Sequence, residues 1–487
     1  MLQAIACIVR DVEILFVTPE LAPYSVRPLA PEIAETAASL PKALRGLGHR
    51  VTVVSPLYKG IDPSARSLAR RLSTLSVETC GKTYTCTIYD GRTTGGIDLI
   101  FLGNAELFGE RNGPDADPET LLRSAIVLST AAAQLASERE PQVEVLHAHG
   151  VACALALSLA KLKRPELVCA LSCYDAHHIG AFDATRIPEL GLPPNVSEQL
   201  ASNRSSLLAC GVVSADAVMT TAPATASAML DDMTSPLAAL LRSKSNRFAG
   251  IVNGVDASVW NPLIDSQLSA RFDATNLAGK ARCKGSFQYM LGLGVNPDIP
   301  LVVAIGELSE ARGGDLIAAI AADCLRNEMQ LCVLGSEGDA AVRLQELSAE
   351  YPERLAIRTG YDDKERHLAV GGSDFLLLPA RAERSVEIAL AALRYGSLPI
   401  VCPVGGLADV IVDADAKLET GTGFVADKPE PAEVLAAVQR ALGAYAKRNA
   451  LGALRKRAMQ KDVSWERSAR RYEHLYKQVV KQSAPAA

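Results

Sequence analysis

Short, almost wholly apolar runs alternate with helical stretches along most of this chain, and that alternation limits the folds open to it. Val12–Thr18 (VEILFVT) reads as a strand buried on both faces, followed by a proline-punctuated loop from Pro19 to Pro31. A helix is expected from about Glu32 to Leu47, ended by Gly48, and Arg50–Ser55 (RVTVVS) is the next strand. Strand, helix and strand within about 45 residues form a βαβ unit, the building block of a doubly wound parallel sheet. The pattern returns at Ile97–Leu102, in the helical Leu121–Ser137, at Val143–His147, in Val151–Leu162, and at Leu167–Ser172 and Ala217–Thr221.

A second series of α/β units starts near Arg247, where Phe248–Val252 precedes an Asn253-Gly254 turn. Leu301–Ile305 is a very apolar strand with a helix over Gly313–Asn327 behind it, and Leu331–Leu334, Leu355–Thr359, Phe375–Leu378 and Leu398–Val401 continue the series. A helix from about Pro431 to Ala446 follows, and the 461–477 stretch is amphipathic, with Trp465, Tyr472, Leu475 and Tyr476 on one face. The expected organisation is two Rossmann-like domains, 11–246 and 247–460, then a crossover helix at 461–478 and a disordered tail at 479–487. Tandem doubly wound domains imply a ligand in the cleft beyond the carboxyl ends of their strands.

Composition removes several alternatives. With 48% apolar and 22% charged residues in 487, the chain has ample material for a core, so bulk disorder is excluded. A net charge of -5 with no long Lys/Arg run argues against duplex nucleic acid as a partner. No apolar run approaches the ~18 residues of a membrane span. The 11 cysteines form no CxxC pair and the 7 histidines show no ligand spacing, so no metal site is expected. Scattered, apolar-flanked cysteines fit reduced thiols in the cytoplasm. No Gly-x-x-x-x-Gly-Lys-Ser/Thr occurs, and no Gly-x-Gly-x-x-Gly follows the first strand, which disfavours a P-loop ATPase, a kinase or a nicotinamide enzyme.

Several stretches, in order across about residues 12–477, resemble the bacterial glycogen synthase and plant starch synthase family. ILFVTPELAP and SLPKALRGLGHRVTVVSPLY (Ser39–Tyr58) look like its opening strand, helix and strand. VLHAHG (Val145–Gly150) resembles the start of its His-x-His-Asp-Trp segment, and NGVDASVWNP (Asn253–Pro262), followed by Gly279-Lys280, is close to its Asn-Gly-Ile-Asp…Trp-Asn-Pro signature. YPERLAIRTGYDD (Tyr351–Asp363), ALRYGSLPIV (Ala392–Val401), GGLADVIVD (Gly405–Asp413) and SWERSARRYEHLY (Ser464–Tyr476) match in order and spacing. The resemblance implies an α/β fold of the GT-B type, with the C-terminal helix crossing back to the N-terminal domain. It also implies a retaining, metal-independent transfer of glucose from ADP-glucose to an α-1,4-glucan, with no cofactor.

The residues that carry that chemistry in the family are mostly replaced. Its Lys-Thr-Gly-Gly-Leu loop corresponds to Tyr24–Glu32, which has no Lys and no Gly, and Arg27 is the only cation there to stand in. Its Arg and Lys on the donor diphosphate correspond to Glu307, a charge reversal, and Arg312. Its Ser-Arg-Phe-Glu-Pro-Cys-Gly-Leu reads Ala380 to Glu387, keeping Arg381 and the sugar-side Glu383, with Ser385 and Val386 where Cys and Gly stand. Gly405 and Gly406 keep the phosphate-side turn, and His147 and His149 keep His-x-His, but Asp-Trp-His has become Gly150-Val151-Ala152. Aligning on Gly180-Ala181-Phe182 puts Tyr174 at the family histidine, with His177 and His178 three and four residues on.

Each lost transition-state contact typically costs about 10²–10³ in rate. The leading expectation is therefore a catalytically degenerate relative with a binding or regulatory role in glucan metabolism, in contact with an α-glucan, ADP-glucose or a protein such as an intact synthase. The alternative is an active glycosyltransferase that uses substituted residues, or a different donor or acceptor.

Overall fold

A strand made almost entirely of apolar residues is stable only where both of its faces are covered. β1 (Glu13–Val17) is such a strand, with all five residues buried, and it lies at the centre of its sheet between β2 (Arg50–Pro56) and β6 (Val145–His149). The one charged residue, Glu13, meets Arg50 at 3.0 Å. The computed structural model describes residues 11–25, 31–109, 117–382 and 385–483. It divides into two compact units, Met1–Ile251 with Trp465–Ala487, and Val252–Ser464.

Among the described residues the sheet of the first unit is completed by β3 (Ala69–Thr79), β4 (Lys82–Arg92), β5 (Asp98–Gly103), β7 (Val168–Ser172), β8 (Ala217–Thr220) and β9 (Phe248–Gly250). The strand order is β3-β4-β5-β2-β1-β6-β7-β8-β9. Pairing is parallel except at the β3–β4 and β4–β5 edge. That antiparallel hairpin was absent from the sequence reading. Most of β3 is exposed, so it has no apolar run, yet Tyr84, Cys86 and Ile88 of β4 are buried with Thr83 and Thr85 exposed between and beside them. That period-two alternation was the available signal.

β9 corrects a second expectation. Phe248 pairs in parallel with Val218 of β8, so this segment closes the first sheet and does not open the second unit. Gly250 permits the approach, because a Cβ there would stand 2.2 Å from the Ala222 carbonyl oxygen. The C-terminal helix spans Trp465–Ser483, beyond the 478 expected, and Val479 is buried in the first core. The segment 479–483 is therefore helix, not tail, while 484–487 lie outside the described residues.

In the second unit β10 (Leu301–Gly306), β11 (Gln330–Gly335), β12 (Leu355–Thr359), β13 (Phe375–Leu378), β14 (Leu398–Val401) and β15 (Phe424–Val425) form a parallel sheet, ordered β12-β11-β10-β13-β14-β15. Its core includes the motif residue Trp260, fully buried, with its ring stacked on His367 at 4.0 Å. His367 Nδ1 lies 2.7 Å from an Asp265 carboxylate oxygen that also accepts the Tyr395 hydroxyl at 2.6 Å. The Trp-Asn-Pro segment thus fastens a long loop to the helix Asp363–Gly372.

A second buried polar cluster surrounds Asp374. Its carboxylate meets Lys284 at 2.7 Å and Arg455 at 2.6 Å and accepts the Leu301 backbone N–H at 3.0 Å. Burial alone would raise the Asp374 pKa, but Arg455 and Lys284 outweigh it and hold it below the ordinary value. Removing one partner of such a cluster strands the others in low dielectric. Asp374→Ala is expected to destabilise the second unit by about 3–5 kcal/mol. Hydrogen exchange should then show lost protection across 252–464 with β1 and β6 little changed; unaltered exchange in 252–464 would contradict the expectation.

Candidate active site

Strand alternation puts His147 and His149 of β6 on one face of the sheet, and the element that follows fixes them further. Gly150, at φ +68°, turns the chain into the helix Val151–Lys163. A Cβ there would lie 3.1 Å from Ile33. Both imidazoles are fully buried, with ring centroids 4.4 Å apart and the Phe16 ring beside them. His147 Nδ1 bonds the Tyr476 hydroxyl at 2.7 Å, and its Nε2 bonds Ser172 Oγ at 2.9 Å. His149 Nδ1 bonds the Tyr174 hydroxyl at 2.8 Å, while its Nε2 is buried with no hydrogen-bond partner among the described residues.

Tyr174, which the sequence comparison aligned with the family histidine, therefore belongs to a buried hydrogen-bonded network. Its phenol is pushed well above the ordinary value, chiefly by burial, and remains protonated at neutral pH. Asp175 accepts the His177 and His178 backbone N–H groups at 2.7 and 3.3 Å in a local turn. The exposed His177 ring lies 2.6 Å from Asp232. Arg27 lies outside the described residues.

In the second unit, three helices begin just beyond the ends of parallel strands, the usual place for an anion in such folds. Gly313, at φ +75°, caps the helix Gly314–Leu325 after β10. A Cβ on Gly313 would stand 2.2 Å from the Pro379 carbonyl oxygen. Glu307 is exposed on the preceding turn and Arg312 is half-buried. Arg381 is engaged elsewhere. Its guanidinium grips Asp315 through two bonds of 2.7 and 2.8 Å and donates a third, of 2.8 Å, to the Glu310 carbonyl. Arg381, expected on the donor-phosphate side, thus fastens the loop after β13 to the start of a helix in this structure.

Ser385 Oγ accepts the Glu387 backbone N–H at 3.3 Å, at the start of the helix Glu387–Arg394. Val386 is buried in the second core, so its side chain fills space inside the unit. Glu387 faces Arg366 at 3.6 Å. Gly405, at φ +48°, precedes the short helix Gly406–Val410. Glu383 lies outside the described residues. Gly279-Lys280 proves structural: a Cβ on Gly279 would meet the Arg271 carbonyl at 2.0 Å. Lys280 donates to the Gly371 carbonyl at 3.1 Å, and burial pulls its pKa down to about 7. No group of metal-binding side chains and no helix long and apolar enough to cross a membrane occurs among the described residues.

Two doubly wound parallel units define the GT-B glycosyltransferase fold. The solved catalytic domain of starch synthase IV from Arabidopsis thaliana, bound to ADP and acarbose, matches with a TM-score of 0.88 and 25% identity, over 97% of this chain and 100% of that one. Residues 13–243 match the starch synthase catalytic domain family. Glycogen synthases from Anaeromyxobacter sp. (strain Fw109-5) and Myxococcus xanthus are 34% and 31% identical, each over 96% of this chain and 99% of the relative. The chain belongs to the glycogen synthase and starch synthase family.

The histidine network gives a pH signature. Burial depresses His147 far below its ordinary value, and His149 to about 3. Below about pH 6.5 the unfolded chain binds protons that these folded histidines refuse. Their stabilising contribution is therefore complete above about pH 6.5 and falls by roughly 1.4 kcal/mol per histidine per pH unit as the pH drops toward their folded pKa values. Urea denaturation of the first unit between pH 7 and 5 reads this slope; a flat profile would contradict two buried neutral imidazoles.

Proposed function

We propose that this family member binds glucan or a protein partner in glucan metabolism and transfers glucose weakly or not at all. The observation that carries the reading is Tyr174: a buried phenol bonded to His149 occupies the position of the family's histidine near the reacting sugar. Glu307 in place of a donor-phosphate arginine and the engagement of Arg381 by Asp315 point the same way. A carboxylate facing a diphosphate replaces attraction by repulsion, so the change exceeds loss of one charged hydrogen bond, itself about 1.5–3 kcal/mol. The buried free cysteines support a reducing, cytoplasmic setting.

A second reading, an active transferase, is supported by 34% identity to a glycogen synthase over nearly the whole chain and by Arg312 at a diphosphate-binding position. Calorimetric titration with ADP-glucose, ADP and a maltooligosaccharide, beside a transfer assay, separates the two. The expected result is no measurable nucleotide binding and a rate at least about 10⁴-fold below that of an intact synthase assayed in parallel. Tight ADP-glucose binding with turnover would overturn the first reading and establish the second. Capture of an intact synthase from the same cells would identify the protein-partner form of the proposal.

A further inference from the structure

Lys280 is 5% exposed, and among the described residues its side-chain nitrogen has one hydrogen-bond acceptor, the Gly371 carbonyl at 3.1 Å. An ammonium carries three N–H groups, so a cation here leaves two of them unmet, whereas a neutral amine still donates the bond that is made. The contact ties the end of the helix Asp363–Gly372 to the start of the helix Ala278–Met290. The two helices approach closely there: a Cβ on Gly372 would stand 2.8 Å from the Phe287 Cβ. Gly371 lies in the last turn of its helix, where carbonyls lack partners within the helix.

The charges around Lys280 do not balance a further cation. Asp374 is already shared by Lys284 and Arg455, at 2.7 and 2.6 Å. A protonated Lys280 would therefore make three cations to one carboxylate. On its own helix the Cys283 thiol donates to the Ala270 carbonyl at 3.1 Å. On the helix that ends at Gly371, His367 is bonded to Asp265. The Phe272 ring, 5.5 Å from the nitrogen, and the negative end of the helix favour the cation weakly. Burial opposes it most and Arg455 next, and against Asp374 they bring the pKa from an ordinary 10.5 down to about 7.

We propose that Lys280 is a pH-sensitive latch between the helices Ala278–Met290 and Asp363–Gly372: neutral, it closes the helix end through the Gly371 carbonyl; protonated, it adds an unbalanced cation to the core. The latch is independent of whether the chain transfers glucose.

Its sign follows from linkage. Unfolded, Lys280 keeps its proton up to its ordinary value, whereas folded it gives the proton up near pH 7. Between the two the unfolded chain binds one proton more, so this contribution to stability grows as the pH rises above 7 and is at its floor below.

Hydrogen exchange of the full chain between pH 7.5 and 9.5, corrected for the intrinsic rate, tests the latch. Relative to Lys280→Met, which cannot titrate, the opening constant of 278–290 and 363–374 should fall about tenfold per pH unit in the unaltered protein. Lys280→Arg keeps a donor but cannot lose its proton, and at pH 8 it should open at least about tenfold more than Lys280→Met. A pH profile parallel to that of Lys280→Met, or an arginine variant as protected as the unaltered protein, would overturn the proposal. Labelling with ε-¹³C lysine gives a second readout that does not depend on the arginine variant folding. One ε-carbon resonance, identified by its loss in Lys280→Met, should titrate near pH 7, and a midpoint at the ordinary lysine value would equally overturn the latch.

Discussion

The hydrogen bond between His147 and Tyr476 joins residues 329 apart in sequence, and much of the first unit is organised around it. A buried imidazole must have partners for its polar atoms, and His147 draws one from β7 and the other from the C-terminal helix. That requirement fixes the rotation of the helix Trp465–Ser483, whose Trp465, Tyr472 and Tyr476 enter the same apolar core as β1. A second tie, His49 to Glu473 at 3.1 Å, sets the same helix against the end of the helix Pro31–Gly46. The first unit therefore takes its closing helix from sequence that lies beyond the whole of the second.

The same network holds Tyr174 in place through His149. A histidine placed there alone would lack the reach of the phenol hydroxyl that meets His149 Nδ1, and two buried imidazoles already sit 4.4 Å apart. Adding a third ring that must take up a proton would work against neighbours held neutral by burial. Tyr174 and its surroundings form one hydrogen-bonded unit, so replacing the phenol alone would leave His149 Nδ1 without this partner.

Much of the fold was legible because buried parallel strands announce themselves as apolar runs: β1, β2, β10 and β13 fall where those runs are. The β3–β4 hairpin was missed because its exposed strand carries Arg, Ser and Thr, and β9, expected within Phe248–Val252, was given to the wrong unit because an apolar run does not say which sheet it joins. The site was less legible for a different reason. Arg381 reads as a free cation until the structure places Asp315, 66 residues earlier, against both of its terminal nitrogens. Lys280, seen in the sequence only as part of a family-like Gly-Lys pair, satisfies a backbone carbonyl inside the core. Sequence displays residue types, whereas the competition between ligand and internal partner is settled by packing.

That competition bears on the helix starts of the second unit. An anion site at a helix N-terminus needs unsatisfied N–H groups and a positive local field. The helix after β10 has Asp315 in its first turn, bound to Arg381, and the helix after β13 has Glu387, facing Arg366. Each start therefore carries its own carboxylate, placed where the helix dipole favours negative charge, and each carboxylate is balanced by an internal guanidinium. Arg381 and Arg366 are thus engaged within the unit, while Glu307 is exposed and Arg312 half-buried ahead of the helix after β10. Gly313 and Gly279 persist for another reason, since any Cβ would collide with a backbone carbonyl within about the length of a short hydrogen bond. Steric demands of the backbone and electrostatic demands of a ligand are separable constraints, and in the second unit the steric ones are met at Gly313 and Gly279 while Arg381 and Arg366 pair with carboxylates of their own unit.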